Sequence, residues 1–157
     1  MGPIREEWSP DAIQAVIHAH AEQEGPLLPI LHAIQEKCGY VPHEAERLIA
    51  EALNLSRADV HGVVSFYHDF RHAPAGRHVL KLCRAEACQS MGGEAQAHRL
   101  LKALGLEWGG TTADGRLTVE AVYCLGLCAT APAALLDETP YGRLDEAALQ
   151  ALVAEVA

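Results

Sequence analysis

With 157 residues, the chain has room for one ordinary domain, or for a small helical module beside a compact α/β one. Hydrophobic residues make up 50% of it and aromatics only 5%, so a core can be buried but must consist mainly of Leu, Val, Ile and Ala. The formal net charge of −9 argues against a nucleic-acid binder, which neutralises phosphates with Lys and Arg.

No apolar run approaches the roughly 20 residues of a membrane-spanning helix. Met1 to Asp11 carries charge, Trp8 and Pro10, and no apolar stretch of signal-peptide type follows. The expected compartment is therefore the cytoplasm. Thiols stay reduced there, so a cysteine framework points to metal or redox chemistry before disulfides.

In chain order, Ser9-Pro10-Asp11 is a helix start with Ser9 as N-cap, and Ile13, Val16 and Ile17 follow at helical spacing up to Gly25-Pro26. Leu27, Leu28, Leu31 and Ile34 give a second helix, ended by Gly39-Tyr40-Val41-Pro42. Leu48, Ile49, Ala52 and Leu53 mark a third, and Ser56 with Asp59 forms a capping-box-like start for a fourth. Short helices on short connections predict a small helical bundle over 1–73.

Pro74 and Gly76 mark a joint, after which the periodicity changes. His78 to Leu82 reads as a strand and Gly93 to Leu104 as a helix; Leu117 to Tyr123 alternates as a strand does. Ala133 to Leu136 is a further short strand, with Tyr141 to Leu144 as its pairing partner, and Asp145 opens a terminal helix. Residues 74–157 are thus expected to form a small α/β layer.

Four of the five cysteines lie in this second module, as Cys83-x4-Cys88 and Cys124-x3-Cys128. Each pair falls where a strand gives way to a loop. If the two strands are neighbours, their C-terminal ends bring both loops to one sheet edge. Four thiolates at one site match a [2Fe-2S] centre held by cysteine alone. Zinc also takes four thiolates, and the spacing by itself leaves zinc open. A dithiol enzyme would show Cys-x-x-Cys, which is absent. Gly92, Gly93, Gly126 and Ala129 are small enough to let backbone N–H groups approach sulfur, Cys88 is expected just before a helix, and Lys81 and Arg84 either add positive charge close to the ligands or are surface residues of no particular role. Cys38, alone in the first module, is expected to be a small, partly buried side chain, and all nine histidines ordinary surface, interface or core residues. No Gly-x-Gly-x-x-Gly or phosphate-binding loop is present, so NAD or flavin would have to bind elsewhere.

Cys83-Arg84-Ala85-Glu86-Ala87-Cys88 with Gly92-Gly93, and Tyr123-Cys124-Leu125-Gly126-Leu127-Cys128 with Ala131-Pro132, resemble the thioredoxin-like [2Fe-2S] ferredoxins. More narrowly, they resemble the 24 kDa subunit family of NADH dehydrogenases. Gly39-Tyr40-Val41-Pro42 and Gly62-Val63-Val64-Ser65-Phe66-Tyr67 resemble the helical segment that precedes the ferredoxin domain there. Ser65 to Phe70 and Arg84 to Gly93 are most similar to the gamma subunit of NAD-dependent formate dehydrogenases.

The resemblance implies one [2Fe-2S] cluster on Cys83, Cys88, Cys124 and Cys128 and no catalytic residue in this chain. It implies a flavoprotein partner that binds FMN and NAD and carries a [4Fe-4S] cluster, and a molybdenum-containing formate dehydrogenase catalytic subunit. The same role in a respiratory NADH dehydrogenase or a bidirectional hydrogenase is the alternative within the family. A zinc-stabilised interaction module and an independent thioredoxin-like enzyme are alternatives outside it.

Overall fold

The computed structural model describes residues 8–156; the first seven residues, where the N-terminal stretch considered for an export signal begins, lie outside the described part, as does Ala157. The chain divides into two compact units between Pro74 and Ala75.

The first unit is four helices: α1 Pro10–His20, α2 Leu27–Cys38, α3 His43–Leu53 and α4 Arg57–Phe66. Ser9 caps α1 by accepting from the Ala12 N–H at 3.2 Å. The helix ends at His20 rather than running to Gly25. Ala21-Glu22-Gln23-Glu24 offers no large apolar side chain to bury, so nothing repays its ordering, and a turn closes from the Gln23 N–H to the His20 carbonyl. Gly39, in the left-handed region at φ +84°, stops α2.

Ile13, Ile17, Ile30, Leu31, Ile34, Val41, Ile49, Val60 and Val64 form the core of this unit, all of them buried. Each such side chain contributes roughly 1.5–3 kcal/mol of burial. Cys38 is buried in the same cluster, more completely than the sequence suggests. Beyond α4 the chain folds back: Phe70 joins the core. Gln35 clamps the return, donating to the Asp69 carbonyl at 2.6 Å and accepting from the Arg71 N–H at 2.7 Å.

Ser56 and Asp59 form a complete capping box at the start of α4. Ser56→Ala removes the acceptor for the Asp59 N–H, which lies 3.1 Å from the hydroxyl oxygen. It is expected to cost the chain about 1 kcal/mol, read as a lowered midpoint in urea.

The second unit is a four-stranded sheet with helices: β1 His78–Cys83, α5 Glu86–Ser90, α6 Gly93–Leu104, β2 Leu117–Val122, β3 Ala134–Leu136, β4 Thr139–Tyr141 and α7 Glu146–Ala154. The strand order is β2-β1-β3-β4. β1 and β2 run parallel, in register from His78 opposite Leu117 to Cys83 opposite Val122. β3 lies antiparallel to β1 and to β4. Leu80, Leu82, Leu117, Val119 and Leu136 of the sheet pack with Leu100 and Leu101 of α6 and Leu149 and Leu152 of α7.

Several details differ from the sequence reading: β1 runs one residue further, to Cys83, and β3 begins one residue later, at Ala134. β4 lies at Thr139–Tyr141, three residues before the predicted end at Leu144, because Asp137 takes φ +54° and a two-residue turn sets Leu136 opposite Thr139. β2 ends at Val122, one residue early. Cys88 precedes the expected helix α6 but itself lies inside α5, a single short turn of helix that hydrophobic periodicity is too coarse to detect.

Candidate metal centre

The parallel pairing of β1 and β2 decides where the thiols meet. Cys83 is the last residue of β1 and faces Val122, the last residue of β2, so Cys124 begins its loop two residues past the same sheet edge. Cys88 returns to that edge on α5, and Cys128 on a short 3-10 turn, Cys128–Thr130. A small apolar cluster of Cys83, Cys88 and Ala133, with Ala85, Val122, Leu125, Leu127 and Ala131 against it, surrounds the site.

The sulfurs fall into two pairs. Cys124 Sγ and Cys128 Sγ are 3.7 Å apart, the spacing of two thiolates on one tetrahedral metal with bonds of about 2.3 Å. Cys83 and Cys88 form the other pair, close enough for each thiol to perturb the other. Yet among the described residues no three of these sulfurs lie mutually within 4.8 Å. A single zinc would draw all four to about 3.8 Å from one another. Two pairs held further apart suit a binuclear centre, one pair to each iron.

Burial is uneven. Cys83 and Cys88 are buried, whereas Cys124 and Cys128 are exposed. Burial alone would push the Cys83 thiol up, but N–H groups of Ala85, Cys124 and Leu125 together with the Cys88 thiol bring it below its ordinary value. Cys88 is raised, first by burial and then by the neighbouring Cys83 thiol. Cys128 is raised by its bond to Cys124 and by the charge there. The environment therefore already presents backbone donors where thiolates need them, and N–H groups aimed at sulfur are a principal lever on a cluster's potential.

The loop backbone supplies those donors through strain. Cys124 takes φ +88°, rare for a residue with a side chain, and Gly126 takes φ +76°. The result brings the Gly126 N–H to 3.4 Å from Cys124 Sγ. Such a backbone costs of order 1–3 kcal/mol and persists where surrounding structure imposes it. Small size is therefore only one reason for glycine at 126; the left-handed backbone is the other.

Four sulfur donors in two pairs, with N–H groups converging on them, fit an iron–sulfur cluster. The model of the thioredoxin-like [2Fe-2S] ferredoxin family matches residues 13–157. The chain belongs to that family. One [2Fe-2S] cluster is the family's cofactor. The chain is 32% identical to HndA, a subunit of the NADP-reducing hydrogenase of Solidesulfovibrio fructosivorans, over 88% of this chain and 81% of the relative. It is 34% identical to an NADH-quinone oxidoreductase subunit from Pseudomonas aeruginosa, over 88% and 84%. Among solved structures it resembles an NAD+-reducing [NiFe]-hydrogenase in the H2-reduced state, with a TM-score of 0.60 and 26% identity. That match spans 96% of this chain but only 22% of the hydrogenase chain.

Within this ferredoxin site Arg84 has a different role from the one its sequence position suggested. Its guanidinium makes two bonds to Glu94, at 3.0 and 2.7 Å, and lies over the Trp108 ring at 4.8 Å. Glu94 thus offsets the charge expected to bear on the cysteines, and the pair ties the end of β1 to the start of α6. His43 and His61 close around Glu46 in the helical unit. Only His43-x-x-Glu46 could have hinted at this, since His61 comes from another helix.

Proposed function

We propose that this chain is the electron-transfer subunit of an NAD-dependent formate dehydrogenase, with a [2Fe-2S] cluster held by Cys83, Cys88, Cys124 and Cys128. The observation that carries the ligand assignment is the pair-and-pair grouping of the four sulfurs at one sheet edge. When bound, a [2Fe-2S] cluster supplies reversible one-electron storage. The chain's own residues hold it, direct N–H groups at its sulfurs, and shield the Cys83–Cys88 side with apolar neighbours. The exposed Cys124–Cys128 side, flanked by Tyr123 at 68% exposure, is where a redox partner can approach.

In this reading residues 74–157 are the cluster domain and 1–73 a helical domain that accompanies it. No residue of this chain performs bond chemistry on a substrate. The partner is a flavoprotein that binds FMN and NAD and carries a [4Fe-4S] cluster, with a molybdenum-containing subunit oxidising formate. Among the described residues no helix is long and apolar enough to cross a membrane, and the proposed compartment is the cytoplasm. The formate assignment rests on Ser65 to Phe70 and Arg84 to Gly93. The named relatives favour a second reading, the same role in a NADH-quinone oxidoreductase or a hydrogenase.

Two measurements test these layers separately. Purified chain should be reddish-brown, bleach with dithionite and then give an EPR signal of about one spin per chain, as a one-electron [2Fe-2S] centre requires. A colourless protein with stoichiometric zinc would overturn the cluster assignment. Affinity isolation from the native cell should bring down formate-dependent NAD+ reduction; co-isolation of a nickel hydrogenase or a quinone-linked complex would sink the formate assignment alone.

A further inference from the structure

Among the described residues Glu46 is the one charged side chain that is buried, fully enclosed on α3. A carboxylate removed from water needs a cation or several donors. Its neighbours are His43, three residues earlier on the same helix, and His61 on α4. Both carboxylate oxygens lie 3.2 Å from His61 Nδ1, and Oε2 lies 3.3 Å from His43 Nδ1. These spacings exceed the roughly 2.7–2.9 Å of charge-assisted hydrogen bonds. They match the edge, about 3.3 Å, of a tetrahedral site whose bonds to nitrogen and oxygen are about 2.0–2.1 Å. All three ligand atoms lie within 4.8 Å of one another, the one such group among the described residues.

We propose that His43, Glu46 and His61 form a binding site for a divalent first-row transition metal, Zn2+ foremost. Two imidazoles and one carboxylate are a recognised three-ligand zinc set, with water completing the coordination. Mg2+ and Ca2+ prefer oxygen ligands and are poor candidates. Glu46 sits in the first turns of α3, where Pro42 provides no side-chain cap. The histidine side chains are 65% and 52% exposed, so an ion can enter and the outer position is open to water. A bound ion would tie α3 to α4.

Arg57 competes with the ion. Its Nη2 lies 2.5 Å from His43 Nε2, and arginine only donates. Nε2 is therefore the acceptor in this geometry and Nδ1 carries the proton. Metal binding at Nδ1 moves that proton to Nε2 with no net release, and requires the exposed Arg57 to swing away from the Nε2–H that forms. Removing Arg57 should thus tighten binding, an effect that a hydrogen-bond network without metal does not produce.

The test is Zn2+ titration of the full chain, isolated with its cluster, against a chromophoric chelator. The wild type should take up one Zn2+ at this site with a rise in Tm. His43→Ala/His61→Ala, altered at exposed positions and so compatible with folding, should weaken that uptake at least ~100-fold, since even changes beyond the direct ligands cost 10–100-fold. Arg57→Ala should strengthen it. Zinc held by thiols would be unaffected by these substitutions and would show sulfur in X-ray absorption, whereas this site shows only nitrogen and oxygen. Equal uptake by wild type and the double variant, a sulfur-ligated ion alone, or no uptake at micromolar Zn2+ would overturn the proposal. Should Glu46→Gln fail to fold, the histidine pair still decides.

Discussion

Cys124→Ser is expected to lose the cluster while keeping the fold, and Cys88→Ser to lose both cluster and stability. The two cysteines differ in what their side chains touch. Cys124 is exposed, so a serine hydroxyl there finds water and nothing in the core is disturbed. As a ligand it is poorer than thiolate, and iron content should fall at least ~10-fold, the lower end of what smaller changes around metal sites cause. Cys88 is 2% exposed within an apolar cluster. A hydroxyl there displaces a soft, weakly polar sulfur, and if left without a partner costs about 1–3 kcal/mol beyond the lost ligand. Iron and sulfide analysis, EPR and thermal denaturation of both variants separate the two effects. An undiminished [2Fe-2S] signal in Cys124→Ser would show that Cys124 is not a ligand.

What was legible in the sequence is what depends on local chemistry. Ser9, Ser56 with Asp59, Gly39 and Asp145 end or begin helices because a side-chain oxygen or a left-handed residue satisfies orphan backbone groups within a few positions. The strand at His78 was visible as a short apolar run and that at Leu117 by alternation, and their ends bring both cysteine loops to one sheet edge because the two strands are neighbours. That neighbourhood was the step the sequence left conditional, because parallel pairing depends on a crossover rather than on adjacent residues. Short elements were the least legible. α5 is only five residues long, and β4 is set by a turn whose key residue, Asp137, is not glycine. Partners distant in sequence were hidden altogether: nothing in Arg84 announces Glu94 and Trp108, and nothing in Glu46 announces His61.

Gly93→Ala carries the second large expected effect, and it tests how tightly α5 is held against α6. Gly93 opens α6 directly after the Met91-Gly92 link. A Cβ there would stand 2.8 Å from the Cys88 carbonyl oxygen and 3.5 Å from Pro132 Cβ. The first of these is backbone inside a helix, which cannot rotate aside as a flexible side chain can. Either α5 moves, carrying Cys88 off its position beside Cys83, or α6 moves and strains the Arg84–Glu94 bonds that begin its first turn. Overpacking of this kind typically costs about 1–3 kcal/mol. Both routes disturb the buried half of the sulfur set, so Gly93→Ala should lower Tm and cluster content together. Gly126→Ala provides the contrast. Its Cβ meets nothing within 4 Å, so its cost is only that of a left-handed backbone, about 1–2 kcal/mol, and it acts on the exposed pair through the N–H directed at Cys124. Iron content per folded chain, measured beside Tm, should therefore fall further in Gly93→Ala than in Gly126→Ala. Equal retention in the two would mean that Cys88 is not positioned by the contact between α5 and α6.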